Sequence, residues 1–179
     1  VSVDFDSEIP FDMWEVRRLF KGTTKPIQLD EQEKAQVLEV AQSYFDSITV
    51  PPVIVLVEGS GADRSVVVSG GDKPKGTPSV IFGYRGDTGR PGIVFGKTVI
   101  DFFTALTPAE RMNVIGAVVA HEIGHKFNYE HTTNIPTHVM AAAAQGDASF
   151  GDARVIAFRD RTLTFSDIFK SRVIENCLD

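Results

Sequence analysis

All four histidines of this 179-residue chain fall in one window, "HEIGHKFNYEHTTNIPTHVM", from His121 to Met140. His121 and His125 are four residues apart. On a helix an i, i+4 pair shares one face, with Cβ atoms roughly 5–6 Å apart. Two imidazoles placed so can ligate one Zn²⁺ at about 2.0–2.1 Å each. Glu122 directly follows the first of them and points to the neighbouring sector of the helix, near a metal without binding it. A carboxylate there can take a proton from water whose pKa the metal lowers toward about 7. H-E-x-x-H therefore carries two ligands and a base in one helical turn.

A catalytic zinc normally takes three protein ligands plus water. His131 is the best third ligand, but it lies out of phase with the helix face of His121 and His125. It reaches the metal only if the helix ends and the chain turns back. Such a turn usually uses a residue in the left-handed αL region, Gly by preference and Asn next. Asn128 stands where that residue is needed and is expected at positive φ. His138 also follows the helix. It is either a loop or cleft-edge histidine or a replacement for His131.

The stretch "HEIGHKFNYEH" resembles the metzincin zinc-peptidase signature HExxHxxGxxH, with Asn128 in place of the usual glycine. The resemblance implies zinc ligation by His121, His125 and His131, with Glu122 as general base and acid. In "THVM" it implies that Met140 belongs to the methionine turn beneath the metal. It also implies an α+β fold with a twisted mixed β-sheet, a backing helix and an active-site helix in an upper lobe. A small, mostly irregular lower lobe would hold the Met-turn and a C-terminal helix. The chain departs from the astacins and serralysins in having Ala142 where those families place an extra tyrosine ligand. No cysteine-switch peptide is visible. The specific family is left open.

Several elements must position these residues. "LTPAERMNVIGAVVAHEIGHKFN" reads as a long helix, with Thr107 as N-cap, Pro108 at the first helical position and Glu110 closing a capping box. Met112, Ile115, Val119, Ile123 and Phe127 form its apolar stripe. A second helix is expected in "LDEQEKAQVLEVAQSYFDSI", with Asp30 and Glu33 as its capping box and Val37, Leu38, Ala41, Phe45 and Ile48 on one face. "MWEVRRLF" (Met13–Phe20) fits a first strand, and a short helix nearly as well. Val53–Val57 suits a strand buried on both faces. "RSVVVSGG", "PSVIFGY" and "PGIVFGKTVI" read as three more strands between Gly- and Pro-rich surface turns. A final helix capped by Ser166 would place Phe169, Val173, Ile174 and Cys177 roughly on one side. The whole reads as one catalytic domain, 1–179, with sub-domains at about 1–128 and 129–179.

Composition narrows the function further. A hydrophobic fraction of 42% allows a real core. The net charge of −6 argues against a generic nucleic-acid binder. The single cysteine, Cys177, excludes an intrachain disulfide and is most simply a small buried apolar residue. No apolar run is long enough to span a membrane. The chain begins at Val1, which together with the resemblance suggests a processed, secreted protein. We expect a monomer.

Three functions compete. The first is a zinc endopeptidase with one catalytic ion and a protein or peptide substrate. The substrate would pair antiparallel with an edge strand of the sheet, for which Gly92, Ile93, Val94 and Phe95 are the candidates. The small residues Ala141, Ala142 and Ala143 would floor a pocket for a bulky apolar side chain just after the scissile bond. The second is a metal-dependent endoribonuclease of H-x3-H-x5-H type, whose pattern the three histidines also match. Glu122 and the acidic charge point away from it. The third is a non-catalytic zinc module, although such sites usually close with four ligands, often cysteines. The tripeptide "RGD" at Arg85–Asp87 suggests integrin binding, but such tripeptides also arise simply from the residue preferences of turns. The Asp- and Gly-rich loops offer oxygens for Ca²⁺ without a complete ligand pattern.

Overall fold

A computed structural model describes residues 1–15, 18–46, 54–61, 64–77, 82–86, 89–127, 129–131 and 138–140. Seven strands and three helices are seen among them: β1 Ser2–Asp4, β2 Pro10–Glu15, β3 Arg18–Thr23, α1 Glu31–Phe45, β4 Val57–Glu58, β5 Ser65–Val68, β6 Gly83–Tyr84, β7 Gly92–Val94, α2 Gly96–Phe102 and α3 Pro108–Lys126. The fold is mixed α+β.

The main sheet has the order β4-β1-β5-β7-β6. Its pairings are parallel except for β6, which runs antiparallel to β7 with Gly83 opposite Val94 and Tyr84 opposite Ile93. Successive residues of a strand face opposite sides, and the two sides of this sheet are covered differently. Val3, Val66, Val68 and Val94 join the main core with residues of α1 and α3. Ile93 and the following Phe95 instead join Phe11, Met13 and Phe20 of the β2–β3 hairpin.

Both long helices begin as their caps dictate. Asp30 accepts from the Glu33 N–H at 2.8 Å while Glu33 accepts from the Asp30 N–H at 3.0 Å. Thr107 and Glu110 make the same reciprocal pair ahead of α3, with Pro108 opening the helix. Each box satisfies main-chain donors that a helix start otherwise leaves unpaired. α3 is buried on nearly every side from Met112 to Ala120, not only along the expected stripe. It packs against β5, β6 and β7 and against α1, while α1 reaches the β4 margin through Lys34 and Glu58 and through Gln42, which bonds the Ile54 carbonyl and the Leu56 N–H. The close approach of α1 and α3 requires Gly116, whose Cβ would stand 2.7 Å from the Cβ of Val40 and 2.9 Å from the Val37 carbonyl.

Four local expectations are corrected. Residues 13–20 form neither one strand nor a helix; they span the two arms of a hairpin, with Met13 opposite Phe20 and Trp14 opposite Leu19. The reason is alternation: Met13 and Phe20 are buried while Trp14 is 63% exposed. Of the strand expected at Val53–Val57, Val53 lies outside the described residues and of the rest only Val57 is strand, in Val57–Glu58 at the sheet margin. Among the described residues this strand pairs with β1 alone, and Val57, like Val55 before the strand, is more than half exposed. In "PGIVFGKTVI" only Gly92–Val94 is strand, and the chain then turns into α2.

Finally, Gly92–Phe95 is not the open edge of the sheet. β7 is paired on both sides, with β5 and with β6, and Phe95 lies beyond the strand. The terminal strand on that side, among the described residues, is β6. Ile48, Ala141–Ala143 and the expected C-terminal helix with Cys177 lie outside the described residues. No helix among the described residues is long and apolar enough to cross a membrane.

Candidate metal centre

Helix α3 carries His121 and His125 on one face, and the chain beyond its end brings His131 back to them. The three Nε2 atoms form a nearly equilateral triangle, with sides of 3.1, 3.2 and 3.2 Å. A tetrahedral ion with Zn–N bonds of about 2.0–2.1 Å requires its ligand atoms about 3.3 Å apart. These three histidines are therefore positioned to hold a metal ion. His131, not His138, completes the triangle.

The opposite ring nitrogens explain the convergence. Nδ1 of His121 donates to the Val139 carbonyl at 2.7 Å, and Nδ1 of His125 donates to the Tyr129 carbonyl at 2.7 Å. A carbonyl can only accept, so each Nδ1 carries the proton and each Nε2 is left with a lone pair turned inward. Hydrogen bonds of this kind fix the tautomer and ring orientation of a metal ligand. Burial, with the neighbouring His131 as a second cause, lowers the pKa of His125 from 6.5 to about 4, so its ring is neutral and ready to ligate. The Tyr129 carbonyl and Glu130 oppose this shift, and Arg85 adds to it.

The helix end makes the return possible. The Gly124 carbonyl accepts from the N–H groups of both Phe127 and Tyr129, at 3.0 and 3.2 Å. The second is the 6→1 bond of a Schellman closure. Arg64 donates to the Lys126 carbonyl at 3.3 Å and lies over the Phe127 ring at 4.6 Å, adding a cation where the helix dipole favours one. Asn128, expected at positive φ, lies outside the described residues.

Below the triangle, residues 138–140 form a buried turn. His138 is 3% exposed, and its Nδ1 accepts from the Met140 N–H at 3.0 Å. Its ring stacks on Tyr129, with centroids 5.8 Å apart and planes inclined by 22°. Met140 is fully buried in the main core. The turn is thus tied to α3 through His121 and to the segment after α3 through Tyr129.

Glu122 points from α3 toward the sheet and is 3% exposed. Its Oε2 finds no hydrogen-bond partner among the described residues. Burial raises its pKa from 4.5 to about 8, against the opposing pull of Lys126 and Arg85. Arg85 of the RGD tripeptide is engaged by Glu130 at 3.0 Å, while Asp87 lies outside the described residues.

The sequence pattern anticipates the three histidines, which the structure brings together at the end of α3. It gives no signal for the carbonyls of Tyr129 and Val139, because any residue supplies a carbonyl. The role of Gly83, which lies against Glu122, had a weaker signal: glycine inside a strand marks a close approach. Comparison with known proteins returns no match, whether to a family model, a curated protein or a solved structure.

Proposed function

We propose that this chain is a zinc-dependent endopeptidase of metzincin type. The observation that carries the reading is the triangle of Nε2 atoms, with the Nδ1 protons of His121 and His125 held on main-chain carbonyls and an acidic side chain next in sequence to the first ligand. An all-nitrogen set of three suits zinc and leaves a coordination position for water. His121, His125 and His131 would hold the ion. Bound there, it supplies Lewis acidity toward a carbonyl and lowers the pKa of water.

The remaining work falls to the chain itself. Glu122 accepts a proton from the attacking water and returns it to the leaving amine. The substrate lies extended and adds to β6 as a further strand, its main chain held by the N–H and C=O groups of that edge. Further support for the metzincin resemblance is the backing helix α1, the antiparallel outer strand β6, and Met140 buried in a turn whose carbonyl holds His121. The pocket expected over Ala141–Ala143 rests on the sequence alone. It predicts a bulky apolar residue just after the scissile bond, and a library profile favouring Asp or Gly there would exclude it.

The deciding experiment is metal content together with peptide and RNA cleavage, for the wild type and for Glu122→Ala. Wild type should contain one zinc and cleave peptides. The variant should keep the zinc and lose the cleavage. A wild type that cleaves RNA and no peptide refutes the reading.

A further inference from the structure

Glu122 lies across a slot in the sheet floored by two glycines. A Cβ built on Gly92 would stand 3.4 Å from the Cβ of Glu122, and one built on Gly83 would collide with Oε1 and lie 2.7 Å from Cδ and 3.0 Å from Cγ. Gly83 is paired with Val94, two residues from Gly92 along β7, so both glycines present the same face toward α3. Val66, opposite Gly92, walls the slot.

Neither glycine is demanded by the backbone. Both lie outside the positive-φ region, unlike Gly86 and Gly89 in the turn between the two strands. Glycine within a strand carries an entropic penalty relative to alanine. At Gly83 the obstacle to any side chain is the Glu122 carboxyl group itself.

We infer that Gly83 is a positioning residue: the space left by its missing side chain seats the Glu122 carboxyl group and fixes it beside the outer strand of the sheet. The functional consequence rests on the peptidase reading. A peptide added to β6 passes its main chain next to Gly83, so the glycine sets Glu122 and the substrate backbone side by side.

Two measurements test this. The first is a double-mutant cycle in melting temperature on the metal-free protein, with Gly83→Ala, Glu122→Ala and the pair. Gly83→Ala should lower the midpoint by roughly 3–10 °C when Glu122 is present. It should leave the midpoint unchanged or higher when Glu122 is alanine. If Gly83→Ala alone fails to fold, folding of the double variant carries the same information. Additive effects overturn the slot.

The second measurement is peptide turnover with zinc affinity measured alongside. Gly83→Ala should keep zinc affinity and KM within a few-fold while kcat falls roughly tenfold or more. Glu122→Asp, one methylene shorter, should cost less in the Gly83→Ala background than in the wild type. An unchanged kcat in Gly83→Ala overturns the positioning role. A wild type inactive on peptides refutes the peptidase reading, and the melting cycle then decides the slot by itself.

Discussion

The main-chain N–H of Met140 donates to Nδ1 of His138 at 3.0 Å, between two buried residues. The carbonyl of the intervening Val139 is the one that accepts from His121. The imidazole of a non-ligand thus holds the turn that orients a ligand. His138→Leu should weaken zinc binding roughly 10–100-fold, as loss of a supporting hydrogen bond does elsewhere. It should also cost about 1–3 kcal/mol for the unpaired N–H. Asn can accept from an N–H two residues on, so His138→Asn should recover part of both. Chelator competition and denaturant melts check this, and wild-type affinity in His138→Leu would show that the turn is held by other contacts.

Replacing His121, His125 or His131 by Ala should each abolish stoichiometric zinc, because two ligands remain where three are needed. Glu122→Gln should keep the metal and lose about 10²–10⁴-fold in peptide turnover, the usual contribution of a general acid–base group. Metal analysis of the purified variants, followed by turnover of a fluorogenic peptide, separates the two roles. A Glu122→Gln protein that still turns over substrate would remove Glu122 from the chemistry.

In the metal-free protein Glu122 links stability to pH. Its folded-state pKa is about 8 against an ordinary 4.5, so between these values the folded state holds a proton that the unfolded chain has released. Stability contributed by this group is therefore present below pH 4.5 and is lost as pH rises through 8. His125, lowered from 6.5 to about 4, acts in the other sense, and its contribution is lost as pH falls through that window. Both proteins contain His125, so wild type minus Glu122→Gln isolates the glutamate. Urea melts in EDTA across pH 4–9 should show that difference moving against the wild type as pH rises. A flat difference would mean that the carboxyl group is solvated.

Gly116 tests the packing of α3 against α1. In an isolated helix alanine is favoured over glycine by about 0.8–1.0 kcal/mol. Here its Cβ would stand 2.7 Å from the Cβ of Val40 on α1. Overpacking costs typically 1–3 kcal/mol, so Gly116→Ala should lower the melting temperature despite the better propensity. A raised melting temperature would show that α1 and α3 separate without cost.

Much of the site is legible in the sequence because helix geometry is local. The i, i+4 spacing of His121 and His125 puts them on one face whatever surrounds the helix, and the capping boxes at Asp30 and Thr107 name helix starts from neighbours three residues apart. The reading fails where long-range pairing decides. Gly92–Val94 has the composition of a strand at any position in a sheet. Whether it is an edge depends on Gly83–Tyr84 folding back beside it, which no local pattern states. The exposure of Val57 has the same origin, since among the described residues β4 meets a partner on one side only.

The sequence by itself determined the His121–His125 pair, the acidic residue beside it and the helix that presents them, because all are fixed by residue type and spacing along one turn. Only the tertiary structure decided that His131 rather than His138 closes the triangle, that the carbonyls of Tyr129 and Val139 hold the rings, and that Glu122 lies against Gly83. Those relations join residues 4 to 39 positions apart in the chain. They exist only once the helix, the turn and the sheet edge are packed together.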